Sequence, residues 1–208
     1  MFIQILADDP VFYTCWLASL VVSITLHELG HVFAALRQGD ETPRLLGRVT
    51  LDPLVHMGWF SIVTAALLGL AWGVTPVNER AFRGRHGRAY VAFGGPAVNL
   101  LLALIALTTL ALVARSSDAR DLLHRDNLTL FLSVFGSLNL ILFLFNMLPL
   151  PPLDGASIVA DFVRPFDRLR HLPEAQPWFF AALIGAVVLL PLQQVAMQLA
   201  SLYLRLWI

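Results

Sequence analysis

Residues 19–36, SLVVSITLHELGHVFAAL, set His27, Glu28 and His31 inside a run that is otherwise apolar and helix-forming. Charged side chains at the centre of a membrane helix cost about 2.5–3.5 kcal/mol each on insertion scales, so ionisable groups crowded into one turn must be compensated by the rest of the fold. The surrounding composition leaves the bilayer as the natural solvent: 58% of the 208 residues are hydrophobic, only 13% are charged, and the mean hydropathy is +0.73. The charges cancel and the 14 basic residues, all arginine, are scattered rather than clustered, which argues against nucleic acid as a partner. Cys15 is the one cysteine, so no internal disulfide or paired-cysteine metal site is available, and it is read as a packing residue. The N-terminal MFIQILADDP is acidic where a secretory signal is basic, so the first apolar stretch is expected to be retained.

Crossing about 30 Å of hydrocarbon takes roughly 20 apolar residues in a helix. Four stretches meet that length, 11–36, 89–114, 128–148 and 178–204, the last interrupted by Pro191. A fifth, 59–74, is shorter and contains two glycines, which fits a short span or a re-entrant segment. The linker from Gly39 to Met57 is polar, with a β-like patch at GRVTL, residues 47–51. The loop at 75–88 is basic and that at 115–127 is charge-balanced; His86, His124 and His171 are placed in solvent-exposed loops. The expectation is an all-α polytopic membrane bundle forming one domain over 1–208, with a short β-like or re-entrant segment after the first helix.

HExxH places His27 and His31 on one face of a helix, one turn apart, where two imidazoles reach a single zinc ion, and it places Glu28 beside the metal's open position. A catalytic zinc takes a third protein ligand. The segment FNMLPLPPLDGAS, residues 145–157, offers one: its prolines force an irregular passage, and Asp154 follows directly. Asp-Gly after prolines is, by itself, also the pattern of a helix N-cap, and the intramembrane HExxH shifts the balance towards a ligand. Asp161 is the rival carboxylate, nearer Arg164 and the basic loop, where an interfacial ion pair is expected. Gly94, Gly95, Pro96 and Asn99 are read as residues permitting close helix packing.

In order, HELGH, GRVTLDPLVHMGWFS, WGVTPVNERAFR, FGGPAVNLLLAL and FNMLPLPPLDGAS resemble the site-2 protease family of intramembrane zinc metalloproteases in its compact bacterial form, over residues 20–158. The resemblance implies His27, His31 and Asp154 as ligands of one Zn2+, Glu28 as catalytic base, and Asn146 as a residue near the substrate. It implies a zinc metalloendopeptidase that cleaves within or near a transmembrane segment of a membrane protein, in the inner membrane of a bacterial cell. The sequence departs from the family pattern at LDPLVHMG, where Asn-Pro and an acidic residue after the histidine are usual, leaving His56 without an assigned role.

Topology can be read from the ligand set. His27 and Asp154 must lie at one depth, so the spans leading to them run in the same direction, which requires 59–74 to be re-entrant. With the N-terminus outside, that arrangement puts ten arginines on the cytoplasmic side and four outside, whereas a full crossing at 59–74 gives seven and seven. Both considerations turn the active end towards the cytoplasm. An unwound substrate needs backbone partners, and the expected ones are a strand edge at Arg48 to Leu51 and the Asn146 amide. The competing class is a zinc-binding membrane protein without proteolysis, either a metal carrier or a catalytically silent relative.

Overall fold

The computed structural model describes residues 1–115 and 127–207; most of the loop expected at 115–127, with His124, lies outside the described residues. After a short turn of helix α1 (Ile5–Asp8), the chain runs through α2 (Pro10–Arg37), a single turn α3 (Thr42–Leu45), α4 (Pro53–Leu68) and α5 (Gly87–Arg115). It continues with α6 (Asn127–Asn146), α7 (Asp154–Phe162), α8 (Arg164–Leu169), α9 (Gln176–Leu189) and α10 (Leu192–Arg205). No strand forms among the described residues. The protein is an all-α polytopic membrane protein. Helices α2, α5 and α6 are each long and apolar enough to cross a bilayer, and residues 173–189 with α10 make a fourth element bent by 52°. The bend falls at Pro191, which has no N–H to continue a helix and holds Leu190 in extended backbone.

The core is the packed trio α2, α5 and α6. Helix α2 opens on Asp9, whose carboxylate accepts from the Phe12 N–H at 2.9 Å, with Pro10 in the first turn. It crosses α5 at Gly30 and Gly94, where a Cβ on Gly30 would stand 2.4 Å from the Gly94 carbonyl oxygen. Small residues are what let membrane helices approach this closely, since no hydrophobic effect drives them together in lipid. Helix α10 lays Ala196 and Ala200 against Ala103, Leu107 and Leu140 of the trio, and the Tyr203 hydroxyl bonds the Thr108 hydroxyl at 2.7 Å. Helix α9 turns Trp178, Phe180, Val188 and Leu189 outwards, a surface suited to lipid chains.

Between α2 and α5 the chain folds as a helix with a return arm. Asp52 caps α4 by accepting from the Leu54 N–H at 2.9 Å, Gly58 kinks it at φ 72°, and Gly69 at φ 72° ends it in the left-handed conformation. Residues 70–78 then double back beside α4: the Val74 N–H donates to the His56 carbonyl at 3.1 Å, and Ser61 Oγ both accepts from the Trp72 N–H and donates to the Trp72 carbonyl. The β-like patch at 47–51 does not become a strand. Arg48 donates to the Val55 and Val74 carbonyls, and His56 Nε2 donates to the Thr50 carbonyl at 2.8 Å, so this segment is tied by side chains and has no neighbouring strand to pair with. His56 thus has a structural role, pinning the linker to α4. Buried Asp40 anchors the return arm to the end of α2 by accepting from the Thr42 N–H at 2.9 Å and the Asn78 N–H at 2.7 Å.

Beyond α6, residues 147–153 make a tight irregular passage that includes a cis Pro151–Pro152 bond and closes with the Leu153 N–H on the Leu150 carbonyl. A Cβ on Gly155 would lie 2.4 Å from both the Met147 and Leu148 carbonyl oxygens. Only glycine lets the start of α7 fold down onto this passage, and that descent brings Asp154 into the bundle.

Candidate metal centre

Helix α2 carries His27 about 26 Å along its axis from Pro10, well into its second half. Across from it, the descent of α7 delivers Asp154. His27 Nε2 lies 3.1 Å from His31 Nε2 and 3.2 Å from Asp154 Oδ2, and His31 Nε2 lies 3.4 Å from Asp154 Oδ1. Two imidazoles held about 2.0–2.1 Å from one tetrahedral ion would stand about 3.3 Å apart, close to the separation seen.

The hydrogen bonds around the site decide what it can hold. His31 Nδ1 bonds the Val91 carbonyl at 2.8 Å, and a carbonyl only accepts, so a proton is on Nδ1 and the neutral ring presents a bare lone pair on Nε2. His27 Nδ1 bonds Asn99 Oδ1 at 2.6 Å, which leaves its Nε2 bare by the same logic. Asp154 Oδ2 is buried with no hydrogen-bond donor. Although Asp154 heads α7, it does not cap it: the N-cap position is Leu153 and no side chain bonds the first N–H groups. With both rings neutral, two lone pairs and a carboxylate therefore converge with no donor between them. Such a set is costly to bury alone and is satisfied by a divalent cation.

Glu28 sits beside these groups, 5% exposed. Thr75 of the return arm donates to Glu28 Oε2 at 2.6 Å, and Gly73 passes so close that a Cβ there would lie 2.4 Å from Oε1. Gly95 plays the same part for the histidines, since its Cβ would meet His31 Nε2 at 2.4 Å and His27 Nε2 at 2.5 Å. The centre opens on a cavity of about 530 Å³ walled by α2, the return arm and residues 142–157. Asn146 lines it, with its amide nitrogen donating to the Leu142 carbonyl of its own helix at 3.0 Å. Arg88 and Glu79 also line the cavity; Arg88 joins Glu79 at 2.7 Å and Asp167 at 2.7 Å, and Arg170 also bonds Asp167, at 3.1 Å.

At the centre the structure corrects one expectation, bears out another and adds a residue the sequence did not mark. Asn99 and Gly95 belong to the centre rather than to general helix packing: Asn99 holds His27, and Gly95 leaves room for both rings. Asp161, as expected, stands apart from it and pairs with the basic loop: it lies 3.2 Å from His86 Nδ1, because α7 turns Asp161 towards the start of α5. Thr75 carried no signal in the sequence, since a lone threonine in a loop reads as solvated until the return arm is folded over Glu28.

Fold and site together define a helical membrane protein with a buried His-His-Asp centre and a carboxylate at its side. The sequence profile of peptidase family M50 matches residues 15–120 and 112–192. The chain is 37% identical over 183 residues to "Putative zinc metalloprotease YwhC" of Bacillus subtilis, covering 84% of this chain and 83% of that protein. It is 30% identical over 189 residues to "Putative zinc metalloprotease Rip2" of Mycobacterium tuberculosis, covering 84% of this chain and 66% of that protein. The chain belongs to peptidase family M50, the site-2 protease family, and is a membrane zinc metallopeptidase. No solved structure matches it.

Proposed function

We propose that this protein is an endopeptidase that hydrolyses a peptide bond within or next to a transmembrane segment of a membrane-protein substrate. Its roles would be divided between His27, His31 and Asp154 as the residues that hold zinc and Glu28 as the general base. The observation that carries this reading is the convergence of three donor-free acceptor groups beside a buried carboxylate, on a cavity large enough for an unwound peptide. When bound, the zinc ion supplies the Lewis acidity that peptide hydrolysis needs. Glu28 takes the proton of the attacking water on Oε1, the oxygen Thr75 leaves free, and returns it to the leaving amine. The Thr75 bond fixes the carboxylate for both transfers.

The return arm supplies what a substrate backbone requires. Trp72 and Val74 spend their backbone groups on Ser61, His56 and Arg48, while among the described residues the N–H and C=O of Gly73 and Thr75 have no partner and lie on the cavity wall. Residues 73–75 therefore offer the open edge for an added strand, in place of Arg48 to Leu51. Asn146 is the further polar side chain placed to hold a freed peptide group. The helix-and-return geometry of 53–78 suits a segment that enters and leaves on one face, and the ten-to-four arginine count supports a cytoplasmic side for that face in a bacterial inner-membrane enzyme. Regulated intramembrane proteolysis is the role that accords with this architecture.

The test is a reconstituted cleavage assay on a helical membrane substrate, comparing wild type with Glu28→Ala at matched zinc content. The expected result is a loss of about 10²–10⁴-fold in rate for the variant. Equal product from both would leave a zinc-binding membrane protein without proteolysis.

A further inference from the structure

Behind His27 runs a line of buried amides that ends on a backbone carbonyl, and its polarity can be read from that end. Asn139 Nδ2 lies 2.8 Å from the Phe135 carbonyl and 2.8 Å from Ser23 Oγ. A carbonyl accepts and never donates, so the amide nitrogen of Asn139 faces Phe135 and its Oδ1 faces Asn99. Asn99 must then present Nδ2 to Asn139, at 2.8 Å, and its Oδ1 to His27 Nδ1, at 2.6 Å. His27 is left with its ring proton on Nδ1. Ser23, Asn99 and Asn139 are each fully buried, so no bulk water can substitute for a missing partner.

We infer that Asn139, acting through Asn99, sets the tautomer of His27 and so the zinc affinity of a centre it does not touch. Asn139 is a positioning residue, and the inference rests on the reading of His27 as a ligand. Were Asn99 rotated by half a turn, its amide nitrogen would face His27 Nδ1 and the ring proton would move to Nε2, the atom needed for the metal. With Asn139 in place that rotation sets two carbonyl oxygens against each other. With an apolar residue there, nothing opposes it. His31 needs no such relay, because the Val91 carbonyl fixes it directly.

The experiment measures zinc affinity in detergent by competition with a chelator, for Asn139→Leu alone and in an Asn99→Asp background. A carboxylate at position 99 offers His27 an acceptor oxygen whichever way it turns, so it removes the need for the relay. Asn139→Leu alone is expected to lower affinity about 10–100-fold, the usual effect of losing a partner that orients a ligand, with no further loss in the Asn99→Asp background. An equal loss in both backgrounds marks a packing defect and overturns the relay, as does no loss in the single variant. Should the variant fail to fold, the metal-free wild type decides the matter by ¹⁵N NMR of the His27 ring. A proton on Nδ1 is expected, and a proton on Nε2 overturns the proposal. A wild type that binds no zinc would instead overturn the ligand reading, while the tautomer would still judge the relay.

Discussion

Gly95 shows how little room the centre has. It is the residue of α5 nearest both histidine Nε2 atoms, and a single added methyl would stand 2.4–2.5 Å from them. Gly95→Ala is therefore expected to lower zinc affinity at least about tenfold, as disturbing the groups around a metal ligand does, in a protein that still folds, measured as metal content after equilibration with a chelator. A Gly95→Ala protein with wild-type zinc content would show that the rings can move aside. At this scale His27, Glu28 and His31 were legible because their chemistry is local: one helical turn sets their spacing. Asn99, Gly95 and Thr75 were not, because each acts on a residue 47–72 positions away and has an ordinary side chain for its neighbourhood.

The return arm after α4 is the element on which the site depends most indirectly. It brings Thr75 and Gly73 over Glu28, yet it has no strand partner, and Asp40, Arg48 and Ser61 hold it through side-chain bonds. Asp40 is 1% exposed and accepts two backbone N–H bonds, so Asp40→Ala leaves the Asn78 and Thr42 N–H groups unsatisfied. Bonds to a charged acceptor contribute about 1.5–3 kcal/mol each, and the variant is expected to lose at least about that much stability in detergent denaturation, with a lower cleavage rate and unchanged zinc content. Zinc loss in step with activity would show that the arm supports the ligands and not Glu28 alone. Hydropathy announced an unusual segment here, with its glycines and sub-span length. Its path did not follow from the residues, because an arm tied by side chains has no periodicity to read.

Across the whole molecule, Asp167 binds α8 to the start of α5 through Arg88 and to its own helix end through Arg170. Partial burial pushes the Asp167 carboxyl up, but the bond from Arg170 and the charge of Arg88 outweigh it and hold the group below the ordinary carboxylate range. A depressed carboxyl contributes stability that is complete above its unfolded value, about 3.9, and is lost as pH falls through the lower folded one. Amides of residues 164–169 are thus expected to lose hydrogen-exchange protection below about pH 4, whereas Asp167→Asn should lack that protection already at pH 7 and show no acid step. An identical acid profile in both proteins would mean that Asp167 does not hold α8. The sequence by itself determined that this chain is a helical membrane protein, since apolar run length measures the bilayer directly, and it placed two histidines at metal-ligand spacing on one helix turn. Only the tertiary structure decided how Asp154 is carried to that pair, which tautomers the rings take and what covers Glu28. Those depend on where a proline-broken passage and a glycine turn set down distant backbone, and no local spacing encodes that.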